Sequence, residues 1–227
     1  MGDNHGFAIS SGDLVEGGLS WLGQPTELEI PTGSILSLYE MVSEVVEKES
    51  VDLERDRVTV GIDAPLGFPE GFTDFLCRNR YKFTRPEKEI YNELAYRETD
   101  RFIYEEFDKK PLSAVFDRLG TNCTVALVHV RRWINQYGFT HQPSDEVGHN
   151  NIYEVYPALV KKRGSSTAQP EFAELLPKKV TPGTDAYDAA LCSIMALGAE
   201  SGDAIPAVPR LVGPPENNEH SREEGWI

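Results

Sequence analysis

A single α/β domain, with a mixed sheet flanked by helices, is what this sequence predicts, and three observations carry the prediction. The apolar, β-branched run Val58-Thr-Val-Gly-Ile62 stops at Asp63 and Pro65, as a buried strand does at a sheet edge. The alternating run Ile152-Tyr-Glu-Val-Tyr156 stops in the same way at Pro157. Around these runs lie long stretches with apolar residues at helical spacing, and the last, ending near Ala199, is small or apolar almost all round. A chain of 227 residues can bury one such core, and 40% hydrophobic with 26% charged residues excludes global disorder.

The elements follow in order. Gly6 to Ser10, Leu14 to Leu22 and Glu27 to Ile30 read as strands of an antiparallel meander, separated by Ser11-Gly-Asp13 and Gly23-Gln-Pro25. Ser34 to Lys48 places Ile35, Leu38, Met41, Val42 and Val45 on one helical face, with Ser34 as its cap. After the strand ending at Asp63, residues 70 to 150 form a mostly helical insertion. Its long elements are Glu87 to Phe107 and Leu112 to Tyr137, broken by Lys109-Lys-Pro111. Thr140 to Asn150 reads as a polar loop before the Ile152 strand. The final helix starts at Thr181 or Thr184, where Pro182 suits a first turn and Asp185 complements the positive helix end. A Pro-rich acidic tail, about 200 to 227, closes a single domain spanning 1 to 227.

Asp63 is the residue that bears most on function. A carboxylate pushed to the end of an apolar strand needs a cation or a donor, and in open α/β sheets ligands bind beyond the carboxyl ends of strands. The alternative is an Asp that only caps the turn before Pro65. Asp185 and Asp188 stand three apart on one helical face. Asp185 is ordinary in a first turn, whereas Asp188, beside Ala189, Ala190 and Leu191, needs a partner. Hard oxygen ligands from a strand end and a helix start suit Mg²⁺ or Mn²⁺, and two such ions about a phosphate activate the attacking water and stabilise the leaving oxygen.

Arg97 and Arg101, one turn apart, are candidates for contacting a phosphate together, although a lattice with Glu93, Glu98 and Glu105 accounts for them more simply. Glu154 falls on the strand face opposite Tyr153 and Val155, as a substrate contact or an exposed strand glutamate. His129 reads as a packed residue rather than a ligand.

Cys77, Cys123 and Cys192 are too few and too scattered for a disulfide framework or a zinc site, which leaves reduced structural thiols. No apolar run approaches a membrane span and the first residues carry no leader pattern, so the expected compartment is the cytoplasm. A net charge of −15 argues against a broad nucleic-acid-binding surface. Local basic clusters remain at Arg78 to Lys82, Arg131-Arg132 and Lys161-Lys-Arg163, each equally readable as a solvated helix end.

Several motifs occur together in order: Gly61-Ile-Asp-Ala-Pro-Leu-Gly-Phe-Pro69, Arg97-Glu-Thr-Asp100, Tyr153-Glu-Val-Tyr-Pro157, Asp185-Ala-Tyr-Asp-Ala-Ala190 and Glu224-Gly-Trp-Ile227. This conjunction, spanning nearly the whole chain, resembles the domain-of-unknown-function family numbered 429, described as predicted nucleases of the ribonuclease H-like fold. The resemblance implies that Asp63 closes the fourth strand of that fold and that Asp185 and Asp188 are the acids of its last helix. It also implies a first strand with an acidic metal ligand ahead of Gly2. That strand has no counterpart in this sequence, and Asp3, in a turn position, does not replace it.

The leading expectation is a Mg²⁺- or Mn²⁺-dependent nuclease or phosphodiesterase acting on nucleic acid or another phosphate ester. Asp63 and Asp188 hold metal, Asp185 assists, and Arg97 or Arg101 steadies phosphate. An ATP-dependent phosphotransferase of the actin-like group is a second possibility, for which Gly17-Gly18 and Gly61 are poor phosphate loops. A non-catalytic binding protein that kept the fold is the third.

Overall fold

The computed structural model describes residues 4–13, 16–29, 37–46, 51–52, 55–78, 83–117, 119–145 and 148–208. The expected cap Ser34, Leu14, Ile30, Lys48, Asp3, the cluster from Arg80 to Lys82 and the terminal Glu224–Ile227 motif lie outside those residues.

The chain opens on a bent antiparallel hairpin. Strand β1 (Asn4–Phe7) pairs with β4 (Thr26–Glu29), and β2 (Ser10–Asp13) pairs with β3 (Gly18–Trp21). Leu22 N–H donates to Ile9 O at 3.0 Å across the bend, so the four short strands make one long ribbon. This differs from the predicted meander: Ser11-Gly-Asp13 is strand, not turn, because the reversal comes later, where Gly17 adopts φ +70°. Helix α1 (Leu38–Val45) is capped by Ser37, whose hydroxyl accepts from Glu40 N–H while the Glu40 carboxylate accepts from Ser37 N–H.

Strand β5 (Thr59–Ile62) then enters a three-stranded parallel sheet of order β5-β7-β6, with β6 at Phe139–His141 and β7 at Asn150–Glu154. Mixed α/β character is therefore present, although among the described residues the antiparallel ribbon and the parallel sheet are separate hydrogen-bonded units.

The insertion carries α2 (Glu70–Arg78), a 3-10 turn at Glu89–Tyr91, α3 (Glu98–Phe107) and α4 (Leu119–Tyr137). The predicted helix from Glu87 to Phe107 is thus split. Arg97 stands just before α3 and its backbone N–H donates to Asp100 Oδ2 at 2.9 Å, and Asn92 N–H closes the 3-10 turn on Glu89 O, which leaves residues 92–97 outside either helix. The helix predicted from Leu112 instead begins at Leu119, because the Ser113 hydroxyl accepts from the amides of Val115 and Phe116 and holds a local turn.

After β7 come a 3-10 turn (Pro157–Val160), a short α5 (Pro170–Ala173) and α6 (Asp185–Ser201). No helix among the described residues is long and apolar enough to cross a membrane.

Two cores lie on opposite faces. Leu38, Met41 and Val42 of α1 and Ala126, Val130 and Trp133 of α4 pack with Val60, Ile62 and Ile152. On the other face Tyr187, Leu191 and Met195 of α6 pack with Tyr153, Val155, Leu19 and Trp21. The α6 helix is buried along most of its length because the residues after Asp188 are mostly small or apolar, with Ala190, Leu191, Ile194 and Ala196 enclosed.

Candidate functional site

Three carboxylates line one cavity where β5 ends and α6 begins. Asp63 directly follows Ile62, and Ala64 to Gly67 turn inward and are buried, so the Asp63 carboxylate is left at the wall of a cavity of about 1070 Å³. Asp185 and Asp188 occupy the first turn of α6, whose start is set by Thr184: its hydroxyl accepts from Tyr187 N–H at 3.2 Å. Both line the same cavity.

The electrostatics confirm that these groups sense one another. Removal of water, followed by the charge of Asp188, pushes the Asp63 pKa from 3.8 up to about 7, with Glu154 and Asp185 adding and Lys161 opposing. The Asp63 side chain still meets solvent in the cavity, so this enclosure is that of a concave wall rather than of a packed core. Neighbouring groups feel the same charge. The Tyr156 phenol is raised by burial and then by Asp63, and the buried Cys192 thiol is held well above its usual value by burial, Asp63 and Asp188, which makes it an inert structural thiol.

Lys161 is the residue that sequence reasoning missed. Its Nζ lies 2.5 Å from Asp188 Oδ1, and both side chains are largely enclosed. In the sequence it is one of three adjacent basic residues with the look of a solvated patch. Only the 3-10 turn after β7, which swings Lys161 back beneath α6, gives it a partner.

Glu154 and Arg97 are brought close to the site but not into it. Glu154, paired in register with Ile62 across β5 and β7, is 3% exposed, so it is not a surface strand glutamate. Arg97, 1% exposed, donates from Nη1 and Nη2 to both Glu154 carboxylate oxygens at 2.6 Å and from Nη2 to Asp100 Oδ1 at 3.0 Å. Glu154 Oε2 also accepts from Leu66 N–H at 2.7 Å. One cation thus faces two carboxylates away from water. Burial raises the Glu154 pKa against the pull of Arg97, while Asp100 and Glu154 together outweigh burial and hold Arg97 charged.

The expected contact of Arg97 with a phosphate is therefore corrected: its guanidinium is enclosed and engaged by protein carboxylates. The sequence sign of this was present, since Arg97 and Asp100 stand three apart, but the partner Glu154 is 57 residues away. Arg101, half-buried, donates from Nη1 to Tyr96 O at 2.9 Å and does not join the carboxylates. His129 is packed as expected, tilted against Trp133 at 5.5 Å between ring centroids, with burial lowering its pKa.

Asp63 and Asp188 offer hard oxygens with more negative charge than Lys161 offsets, a donor set that suits a divalent cation. Among the described residues no cluster of three or more His, Cys, Asp or Glu side chains has the spacing of a metal site.

No curated protein and no solved structure shows a significant match to this chain. The signature of the family described as "Protein of unknown function (DUF429)" matches residues 21–211, which run from the last residue of β3 through α6 and contain every site residue above. With that match over most of its length, the chain belongs to the DUF429 family.

Proposed function

We propose that the chain is a divalent-metal-dependent phosphodiesterase, a nuclease of ribonuclease H-like arrangement, with Asp63 and Asp188 holding Mg²⁺ or Mn²⁺ and Asp185 assisting. The observation that carries this reading is geometric: Asp63 and Asp188 line one large cavity, where burial and then the charge of Asp188 push the Asp63 pKa up to about 7. A bound divalent ion would neutralise phosphoryl oxygens and make a water more acidic.

The chain's own residues supply the rest. The buried Arg97–Glu154 pair holds the Leu66 amide, and with it the turn that carries Asp63. Lys161 neutralises Asp188 in the absence of another cation and would be released from it toward an anionic substrate. The mouth of the cavity is the natural seat for a phosphate ester.

A second reading, a binding protein without catalysis, draws support from the same lysine, because a cation already sits on Asp188. Calorimetric titration with Mn²⁺ separates the two. On the metal reading the parent chain binds, Asp63→Asn and Asp188→Asn lose binding, and Lys161→Met binds more tightly. Affinity also rises about tenfold per pH unit up to about 7, because one proton leaves Asp63 on binding. Absence of Mn²⁺ binding at pH 8 in both parent and Lys161→Met would sink the metal reading. Hydrolysis of bis(p-nitrophenyl) phosphate, lost in Asp63→Asn, then tests catalysis itself.

A further inference from the structure

A second cavity, of about 500 Å³, lies where the end of α3 faces the chain that follows the 3-10 turn after β7. Its walls carry four cationic side chains, Lys109, Lys161, Lys162 and Arg163, against one carboxylate, Asp108. Such a concentration runs against the composition, in which 37 acidic residues outnumber 22 basic ones. Two of the cations have carboxylate partners. Arg163 Nη2 lies 3.0 Å from Asp108 Oδ2 in an exposed pair, and Lys161 is held on Asp188. Among the described residues neither Lys109 nor Lys162 has one.

Lys109 is the informative member. It is half-buried, and its Nζ donates to Ala158 O and, at 3.4 Å, to Lys161 O, which uses two of its three N–H bonds. Burial, followed by the charge of Lys161, lowers its pKa, and no acidic side chain opposes that shift. An enclosed ammonium beside a second ammonium, with a donor to spare, lacks a counter-ion.

Both walls are braced by backbone. Asp108 adopts φ +50° and turns the chain out of α3, which brings Lys109 against the 3-10 turn. On the other wall Lys162 N–H donates to Thr167 O at 2.9 Å, Gln169 N–H to Val160 O at 2.8 Å and Ala168 N–H to the Tyr187 hydroxyl at 2.8 Å. The small loop bearing Lys161, Lys162 and Arg163 is thereby tied back onto α6.

The lining selects the anion. Lysines act as point charges and suit a compact, multiply charged group, whereas the planar fork of Arg163, which would suit a carboxylate, is already engaged by Asp108. Phe107, Leu159 and Pro170 add apolar wall beside the charges. We propose that this pocket binds a dianionic phosphate group, free or as a monoester, with Lys109 and Lys162 as its donors. Lys161 adds positive charge from its place on Asp188. The inference rests on these cations and does not depend on the metal reading.

The test titrates the full chain with inorganic phosphate, phenyl phosphate and benzoate at about pH 7.5, where a phosphate monoester is mostly dianionic. Excess EDTA is present, so that no cation on Asp63 or Asp188 can hold the anion. Amide shifts are followed by nuclear magnetic resonance. The expected result is a saturable shift at the amides of Lys109, Lys162 and Arg163 with either phosphate, at a Kd of about 1 mM or tighter. Tighter binding of phenyl phosphate assigns the group to a monoester resting on the apolar wall, and equal affinity assigns it to free phosphate. Lys162→Glu should weaken binding about tenfold or more and Lys162→Arg should retain it; Lys162 is exposed, so both variants keep the fold. Lys109→Met should weaken binding as Lys162→Glu does, and the Lys162 pair decides should that variant not fold. No saturable shift, shifts confined to the first turn of α6, benzoate binding as tightly as phosphate, or Lys162→Glu binding as tightly as the parent would overturn the proposal.

Discussion

Asp63 gains its character from its place at the end of an apolar strand, where burial and then the acidic neighbour Asp188 act on its carboxylate. Its folded pKa, about 7 against an ordinary 3.8, means that between those values the folded chain holds a proton the unfolded chain has lost. Stability therefore falls as pH rises through that window and levels off above it. Asp63→Asn should remove this loss. Solvent in the cavity screens the charge, so the gain is modest, a rise in Tm at pH 8 of roughly 2–4 °C, the shift that about 1 kcal/mol gives in a domain of this size. Thermal unfolding of both proteins at pH 5 and pH 8 checks it: the curves should approach each other at pH 5 and separate at pH 8. Equal separation at both values would mean that Asp63 ionises normally.

At the scale of elements, the site depends on how closely α6 lies on β5. A Cβ at Gly61 would come 2.6 Å from Cys192 O and 3.0 Å from Ala196 Cβ, so the absence of a side chain there sets the helix–strand distance. Gly61→Val should push α6 away, cost about 1–3 kcal/mol as overpacking does, and separate Asp188 from Asp63. Denaturant unfolding measures the first effect. The second appears as a fall of the Asp63 pKa in a carboxyl-carbon titration by nuclear magnetic resonance. Loss of stability with an unchanged Asp63 pKa would show that the helix position does not govern the pair. The start of α6 was legible because Thr184, Asp185 and Asp188 are local signals; its close approach was not, because a glycine inside a strand does not declare which neighbour it admits.

Across the whole molecule, the helical insertion is tied to the parallel sheet through one buried ion triad. Arg97 at the start of α3 reaches Glu154 at the end of β7, and Glu154 holds Leu66 of the loop after Asp63. Arg97→Ala leaves two carboxylates enclosed without a cation and should cost about 3–5 kcal/mol, measured by denaturant unfolding. Glu154→Gln keeps the shape and one acceptor oxygen and should cost less. A loss below about 1 kcal/mol for Arg97→Ala would mean that water reaches the triad. The large cavity between the ribbon and the sheet belongs to this scale too, since it arises from how separate units sit across α6.

By itself the sequence determined the alternation of strands and helices, the strand that stops at Asp63, a second strand before Pro157 (read as Ile152 to Tyr156, found at Asn150–Glu154), the acidic first turn of α6 and the apolar character of that helix. These are properties of neighbours within a few residues, where periodicity, proline stops and caps act. Tertiary structure alone decided that Arg97 serves Glu154 rather than a phosphate and that Lys161 sits on Asp188. It alone placed β5 and the β1–β2 ribbon, neither hydrogen-bonded to the other among the described residues, along one cavity. In each case the deciding partner is distant along the chain, and the free energy of burying a charge depends on what the fold brings beside it.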